Sequence, residues 1–405
     1  MKSLARSPFF GRAYGSYSPT QLLLIQNAFP KVGKRGVRLL DPFCGVGGAL
    51  PGLVANGYRV QGIDINPMAV ALADLRNPEH LTRKGAIRSA LRGILRKCPP
   101  MPDGTSRFEQ GWLPEYLAVW LRAYGQAICK IVRTDHESLL KDPFTRVLSY
   151  LPVLCARNLA SYSASDNASW PKAGGLLRTV DPVPVLIAGF DAWMSYLESA
   201  YKITPNGTLT VECADIQSYK ARVLFGSIVF SPPYANRLDY LRMFAPEAVV
   251  LRQVAGVDIL GLSRFLIGTN VVSKNLPDDR EVRQLPKSAR DALVAIRDDP
   301  AKASASYYYP FFANYAIGLY RAVTRIGEVL APKGTGLAFL RDTPRKDVLF
   351  PSAEIVAAAL RTSGCRVVAS AEVVRRHIGM RRKRTHTSLQ GLAQREWTLR
   401  FVKAR

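Results

Sequence analysis

Two short stretches carry residue types that can act together in chemistry. The first is Asp41-Pro-Phe-Cys-Gly-Val-Gly-Gly48. Gly45 and Gly47 allow a backbone to approach a ligand closely, and a turn of this kind after a first strand is where doubly wound sheets bind nucleotide-type cofactors. Asp64 closes the next apolar run, where a carboxylate can accept both hydroxyls of a ribose. By itself, Gly-x-Gly marks only a tight strand-to-helix turn. The downstream acid makes the signal more specific, and the missing Gly-x-Gly-x-x-Gly argues against a nicotinamide dinucleotide. The second stretch is Ser231-Pro-Pro-Tyr234. Prolines at 232 and 233 cannot donate to a sheet ladder, so the preceding strand must stop there. They hold the carbonyls of Ser231 and Pro232 outward beside the Tyr234 ring. An exocyclic amine could donate to those oxygens while its base stacks on the ring. The bland alternative is a proline turn with a packing tyrosine.

Both stretches need strands behind them, and the pattern supplies them. Val37–Asp41 and Arg59–Asp64 read as strands, separated by a helix over Ala49–Ala55 and followed by one over Pro67–Leu75. A strand, crossover helix and strand of this length imply a parallel pair with a right-handed crossover. After a long interval, Leu209–Cys213 and Val223–Phe230 read as strands, Tyr315–Leu330 as an amphipathic helix stopped by Pro332 and Gly334, and Gly336–Leu340 as a buried strand. Ala353–Leu360 is a helix and Cys365–Ser370 a strand. Trp397–Val402 alternates apolar and polar residues, as an edge strand would. The interval from Pro78 to Pro205 reads as mostly helical. Its first helix places Arg88, Arg92 and Arg96 on one face and Ile87, Leu91 and Leu95 on another.

Together the two motifs resemble the amino-methyltransferases, the DNA-modifying family that makes N4-methylcytosine and N6-methyladenine. The resemblance covers about 7–77 and 208–402. It implies a class I methyltransferase fold, that is, an α/β, doubly wound, Rossmann-like sheet of seven mostly parallel strands with a reversed last strand. It implies S-adenosylmethionine as the methyl donor. Asp41 would contact the donor's methionine amine, Phe43, Cys44, Gly45 and Gly47 would wrap it, Asp64 would hold the ribose and Asp215 would lie at the adenine. Tyr17 or Ser18, in Tyr14-Gly-Ser-Tyr-Ser-Pro19, would close the donor pocket. Ser231, Pro232, Pro233 and Tyr234 would hold the target amine, and Ser at the first position favours cytosine N4 over adenine N6. A cognate restriction enzyme is a possible partner on the same grounds.

The departure from simple relatives is the middle. Residues 1–77 and 206–405 would form the catalytic domain, and 78–205 a helical insertion that is the candidate target-recognition domain. A second candidate follows the tetrapeptide, 262–309, with Ser273-Lys-Asn275 and Tyr307-Tyr-Tyr309.

With 56 Lys and Arg against 31 Asp and Glu, the 405-residue chain carries a formal charge of +25. Such a field concentrates polyanions, and nucleic acid is the expected partner; the charge fits DNA and RNA alike, and the lack of evident RNA modules such as stacked-aromatic sheet motifs or Gly-x-x-Gly clamps puts DNA ahead of RNA. Arg88, Arg92 and Arg96 are candidate phosphate contacts, as is the run Arg381, Arg382, Lys383, Arg384. No apolar run is long enough to span a bilayer. The scattered six cysteines and four histidines show no metal-ligand spacing, and a reduced, cytoplasmic protein is expected. Cys44 invites comparison with covalent 5-methylcytosine enzymes, but those need Pro-Cys where this chain has Ser231-Pro-Pro-Tyr234. Two rivals remain: an RNA amino-methyltransferase, and an inactive nucleic-acid-binding protein on the same fold. The intact motifs speak against the second.

Overall fold

The apolar runs flanking the glycine turn become adjacent parallel strands. In this computed structural model β1 (Arg38–Asp41) and β2 (Arg59–Asp64) pair in register, with Asp41 opposite Gly62. The structure describes residues 17–32, 36–100, 112–160, 162–163, 172–174, 180–201, 207–236, 239–257, 259, 261–269, 277–374 and 394–404. On the far side of β2 lies β3 (Thr208–Cys213), parallel to it. On the far side of β1 lies β4 (Phe225–Phe230), also parallel, followed by β5 (Leu330–Arg341). The sheet finishes with β6 (Cys365–Val374) and β7 (Gln394–Lys403), and β7 runs antiparallel to both β5 and β6. The order is β6-β7-β5-β4-β1-β2-β3. Strand order therefore reverses between β1 and β4, and an open sheet of this kind binds ligands outside the carboxyl ends at that reversal.

Side chains alternate between the two faces of each strand, and each face has its own core. Leu39, Val60, Val229 and Phe339 point to one face. There they meet α1 (Pro19–Ala28), α2 (Leu50–Ala55), α3 (Pro67–Asp74) and a layer of inserted helices, α4 (Lys84–Lys97), α5 (Glu115–Val132), α6 (Pro143–Leu154) and α7 (Pro182–Ala200). That layer is joined by α8 (Ala245–Ala255), which follows the tetrapeptide. Leu40, Ile63, Ile228 and Phe230 point the other way, onto α9 (Lys287–Asp298), α10 (Tyr309–Val329) and α11 (Ser352–Thr362).

The inserted helices share one continuous core with the sheet. Buried polar bonds fix them further: Trp193 Nε1 donates to Leu75 O at 2.6 Å, Arg146 meets Asp74 at 3.1 Å, and Arg157 meets Glu247 at 2.7 Å. Asp74 and Glu247 are nearly inaccessible, so removing either arginine would strand a buried carboxylate, at a cost of about 3–5 kcal/mol.

Several expectations need correction. The alternation of Trp397–Val402 does not make β7 an edge, since β7 is hydrogen-bonded on both sides. Leu399 and Phe401 are buried while Arg400 is exposed, so the pattern records a strand covered on one face only, as antiparallel strands allow. The edges are β6 and β3. Val223 and Leu224 are exposed and precede β4. Pro332 and Gly334 lie inside β5. Between Leu330 and Thr335 this strand takes five steps where β4 takes two from Phe225 to Ser227, and that bulge accommodates the proline. The helix expected from Tyr315 begins at Tyr309, after a π-turn over Ser304–Tyr308. In α4 the deep apolar face is Ile87, Leu91 and Ile94, with Leu95 half-buried.

Candidate active site

Asp41 is the last residue of β1 and fully buried. Its Oδ1 accepts from the Phe43 amide at 3.3 Å and its Oδ2 from the Tyr17 hydroxyl at 3.1 Å. The loop then folds across the end of β2. The Cys44 amide donates to Ile63 O at 3.0 Å and the Gly45 amide to Asp64 Oδ2 at 2.9 Å. Gly45 and Gly47 have φ of 51° and 75°, in the left-handed region where a side chain is strained. Gly62 makes room for the loop: a Cβ there would stand 3.1 Å from Cys44 Sγ. Asp64 Oδ1 accepts from the Asn66 amide at 2.8 Å, which begins α3.

Two carboxyls, Asp41 buried and Asp64 half-buried, thus lie at neighbouring strand ends. Burial pushes Asp41 up to about 7 and Asp64 up to about 6, against the opposing pull of the amides that donate to them. Among the described residues neither forms an ion pair. Cys44 is buried, and its thiol is pushed well above its ordinary value by desolvation and then by the two aspartates, which suits a packing residue and not a nucleophile.

The tetrapeptide leaves β4, next to β1 in the sheet. Ser231 Oγ lies 3.4 Å from the Tyr234 hydroxyl, and the Tyr315 hydroxyl of α10 donates to Pro233 O at 3.1 Å. The Tyr234 hydroxyl is approached by Gln21 in the first turn of α1 and by Arg341 and Glu396, an ion pair across β5 and β7. Tyr17 links the motifs: its buried ring packs edge-on to Phe339 at 5.8 Å, with Asp41, Cys44 and Tyr234 around its hydroxyl. The two motifs are therefore brought together.

Other expected residues sort themselves by position. Ser18 caps α1, its hydroxyl accepting from the Gln21 amide at 3.2 Å, so of the pair it is Tyr17 that enters the site. Asp215 follows β3 and accepts from the Gln217 amide at 2.9 Å. It lines a cleft of about 760 Å³ shared with Phe265, Asn314 and Tyr315. The stretch 236–240, directly after the tetrapeptide, offers by sequence either a base-positioning group or a helix cap, and Asp239 caps the turn at Arg242–Phe244. Arg88, Arg92 and Arg96 are exposed along α4 as expected. Arg88 pairs with Asp191 and Lys84 with Glu198, so α4 and α7 run antiparallel, and neither Arg92 nor Arg96 forms an ion pair among the described residues. Arg381, Arg382, Lys383, Arg384 and Ser273-Lys-Asn275 lie outside the described residues.

Sequence reasoning missed Arg76 and Tyr315. Arg76 is buried after α3; its Nε donates to Val46 O at 2.5 Å and its guanidinium meets the Tyr196 hydroxyl of α7, so the insertion braces the glycine loop. Tyr240 lies against Asp64 and the Tyr234 amide, and burial pushes its phenol up to about 12. Its place directly after the tetrapeptide is the one signal that marked it.

Among the described residues no group of three or more His, Cys, Asp or Glu is placed to hold a metal ion, and no helix is long and apolar enough to cross a membrane. No family model and no curated protein matches the chain. Among solved structures it is similar to an rRNA methyltransferase, AviRa, from Streptomyces viridochromogenes, at 10% identity and a TM-score of 0.29, over 85% of this chain and 83% of that one. A likeness that slight carries no argument about activity. The chain's own strand order, with its antiparallel β7 and a glycine loop after β1, is that of the class I methyltransferase, Rossmann-like fold.

Proposed function

We propose that this chain transfers a methyl group from S-adenosylmethionine to an exocyclic amino group of a nucleic-acid base, in DNA, with cytosine N4 ahead of adenine N6. One observation carries the reading. The Asp41–Gly47 loop with Asp64, and the Ser231–Tyr234 tetrapeptide, leave neighbouring strands at the reversal of strand order and meet around Tyr17.

The residues fit the donor. Asp41 and Asp64 are desolvated carboxyls without a counter-charge among the described residues, and each oxygen keeps a lone pair beyond the amide or hydroxyl it already accepts. A cationic ammonium suits Asp41, and a ribose diol suits Asp64. When bound, S-adenosylmethionine supplies an electrophilic methyl on a positively charged sulfur.

An amine conjugated to a base ring is a poor nucleophile. Carbonyl acceptors at Ser231 and Pro232 favour its pyramidal form and stabilise the positive charge that develops as it attacks. The Tyr234 ring fixes the base plane, so the amine's lone pair is aimed before reaction. No nucleophile of the chain is needed: as the N–C bond formed, the methyl–sulfur bond would break with its electron pair left on sulfur, and the methylated amine would lose its extra proton to water. A base in a duplex must leave the stack to reach Tyr234. The +25 charge, with Arg92 and Arg96 unpaired among the described residues, supplies phosphate attraction.

Calorimetry tests the donor half. Wild type should bind S-adenosylmethionine, and Asp64→Ala should weaken it by about 2 kcal/mol or more, because the diol loses charge-assisted acceptors. Equal affinity in the two would remove Asp64 from the donor site.

A further inference from the structure

The Ser231-Pro-Pro-Tyr234 backbone is almost rigid by composition. Both proline rings fix φ near −65°. The residue before each proline, Ser231 and then Pro232, is confined to extended ψ. What composition leaves soft is ψ of Pro233 and φ of Tyr234, the two torsions that flank one peptide plane. That plane carries the Pro233 carbonyl, and its setting decides where the Tyr234 ring points relative to the Ser231 and Pro232 oxygens.

The Tyr315 hydroxyl donates to this carbonyl at 3.1 Å. Tyr315 is itself closely packed: it is 1% exposed, lies in α10, packs against the Phe350 ring at 6.1 Å, and has the buried Ser352 hydroxyl 3.4 Å from its own. Behind the next residue, Gly268 sits at φ 78°, where a Cβ would come within 3.4 Å of both the Tyr234 carbonyl and the Tyr315 ring. The peptide plane that the prolines leave free is therefore held by a side chain from the opposite face of the sheet.

We propose that Tyr315 is a positioning residue for methyl transfer: by holding the Pro233 carbonyl it sets the angle between the Tyr234 ring and the amine-accepting oxygens. This rests on the function proposed above. The hydroxyl of Tyr315 is engaged by Pro233 O and Ser352, so it acts through the one peptide plane whose rotation would tilt the stacked base away from the methyl group. A misalignment of that kind lowers the rate of the chemical step at saturation and leaves the binding of both substrates largely unchanged.

The experiment compares Tyr315→Phe with Ser352→Ala in single-turnover methyl transfer, at saturating S-adenosylmethionine and unmodified DNA and well below each variant's melting temperature. Each substitution removes one hydroxyl from the same buried pair, so a purely structural role predicts similar losses of stability and rate in both. Positioning predicts a split. Tyr315→Phe should slow transfer by about tenfold or more with donor and DNA affinity within about twofold of wild type. Ser352→Ala, which leaves the donation to Pro233 in place, should stay within about threefold of the wild-type rate. Equal rates in all three proteins, or equal loss in the two variants, would overturn the assignment. Wild type that methylates no base would instead remove the underlying function, an outcome distinct from either.

Discussion

Asp41 is a carboxyl that folding makes harder to ionise. Burial lifts it to about 7 in the folded chain, against roughly 3.9 in an unfolded one, and Asp64 is lifted in the same sense to about 6. The folded state therefore holds these protons more tightly. The stability they confer is complete below about pH 4 and is lost as pH rises through 6 to 7. Without donor, the melting temperature should fall between about pH 4 and pH 7, and Asp41→Asn should flatten that fall. Donor affinity should run the opposite way, because an ammonium needs the ionised carboxylate, and it should rise roughly tenfold from pH 6 to pH 8. A melting temperature that climbed over the same interval would contradict the assigned burial. At this scale the types and places of Asp41, Asp64 and Ser231–Tyr234 were readable in the sequence. Arg76 and Tyr315 were not, because each acts through a backbone carbonyl distant in sequence, Val46 O and Pro233 O. No periodicity records such a contact.

Strands carry the site, and their closeness sets what they tolerate. Gly62 of β2 lies under the glycine loop, where a new Cβ would stand 3.1 Å from Cys44 Sγ and 3.2 Å from Cys44 Cβ. Gly62→Ala should push the loop off the strand, destabilise the fold by about 1–3 kcal/mol and weaken donor binding. Thermal melts and calorimetry on one preparation would check both, and wild-type values in each would show that the loop is not packed as described. The parallel strands flanking the motifs were legible because each is a short apolar run closed by glycine, proline or an acid. Boundaries failed where tertiary pairing overrode local signals. Pro332 reads as a breaker, yet β5 absorbs it in a bulge against β4. Trp397–Val402 reads as an edge, yet β7 is interior with one face bare. Sequence alternation reports which face is covered and not which neighbours are paired.

Across the whole molecule, charge and core point in different directions. The +25 charge makes an electrostatic surface that length and composition announce directly. The way 78–205 joins the sheet was not announced, because the bonds that tie it down, Trp193 to Leu75 and Arg146 to Asp74, pair residues far apart in the chain. The inserted layer presents the exposed Arg88, Arg92 and Arg96 on α4, and Arg88 is shared with Asp191. Changing all three to Glu should weaken DNA binding and flatten its dependence on salt, with donor affinity kept. An unchanged salt slope would assign that helix to packing alone.

The central claim concerns the product, and it is tested by incubating purified protein with S-adenosylmethionine and unmodified DNA, or RNA in parallel, and identifying the modified nucleosides by mass spectrometry. N4-methylcytosine in DNA is the expected result, lost in Tyr234→Ala while donor affinity is retained, because the role proposed for that ring is to hold the base and not the donor. N6-methyladenine alone would correct the base, and methylated RNA alone would correct the polymer. Absence of any N-methylated base in either polymer, from a protein shown to bind the donor, would contradict the claim itself.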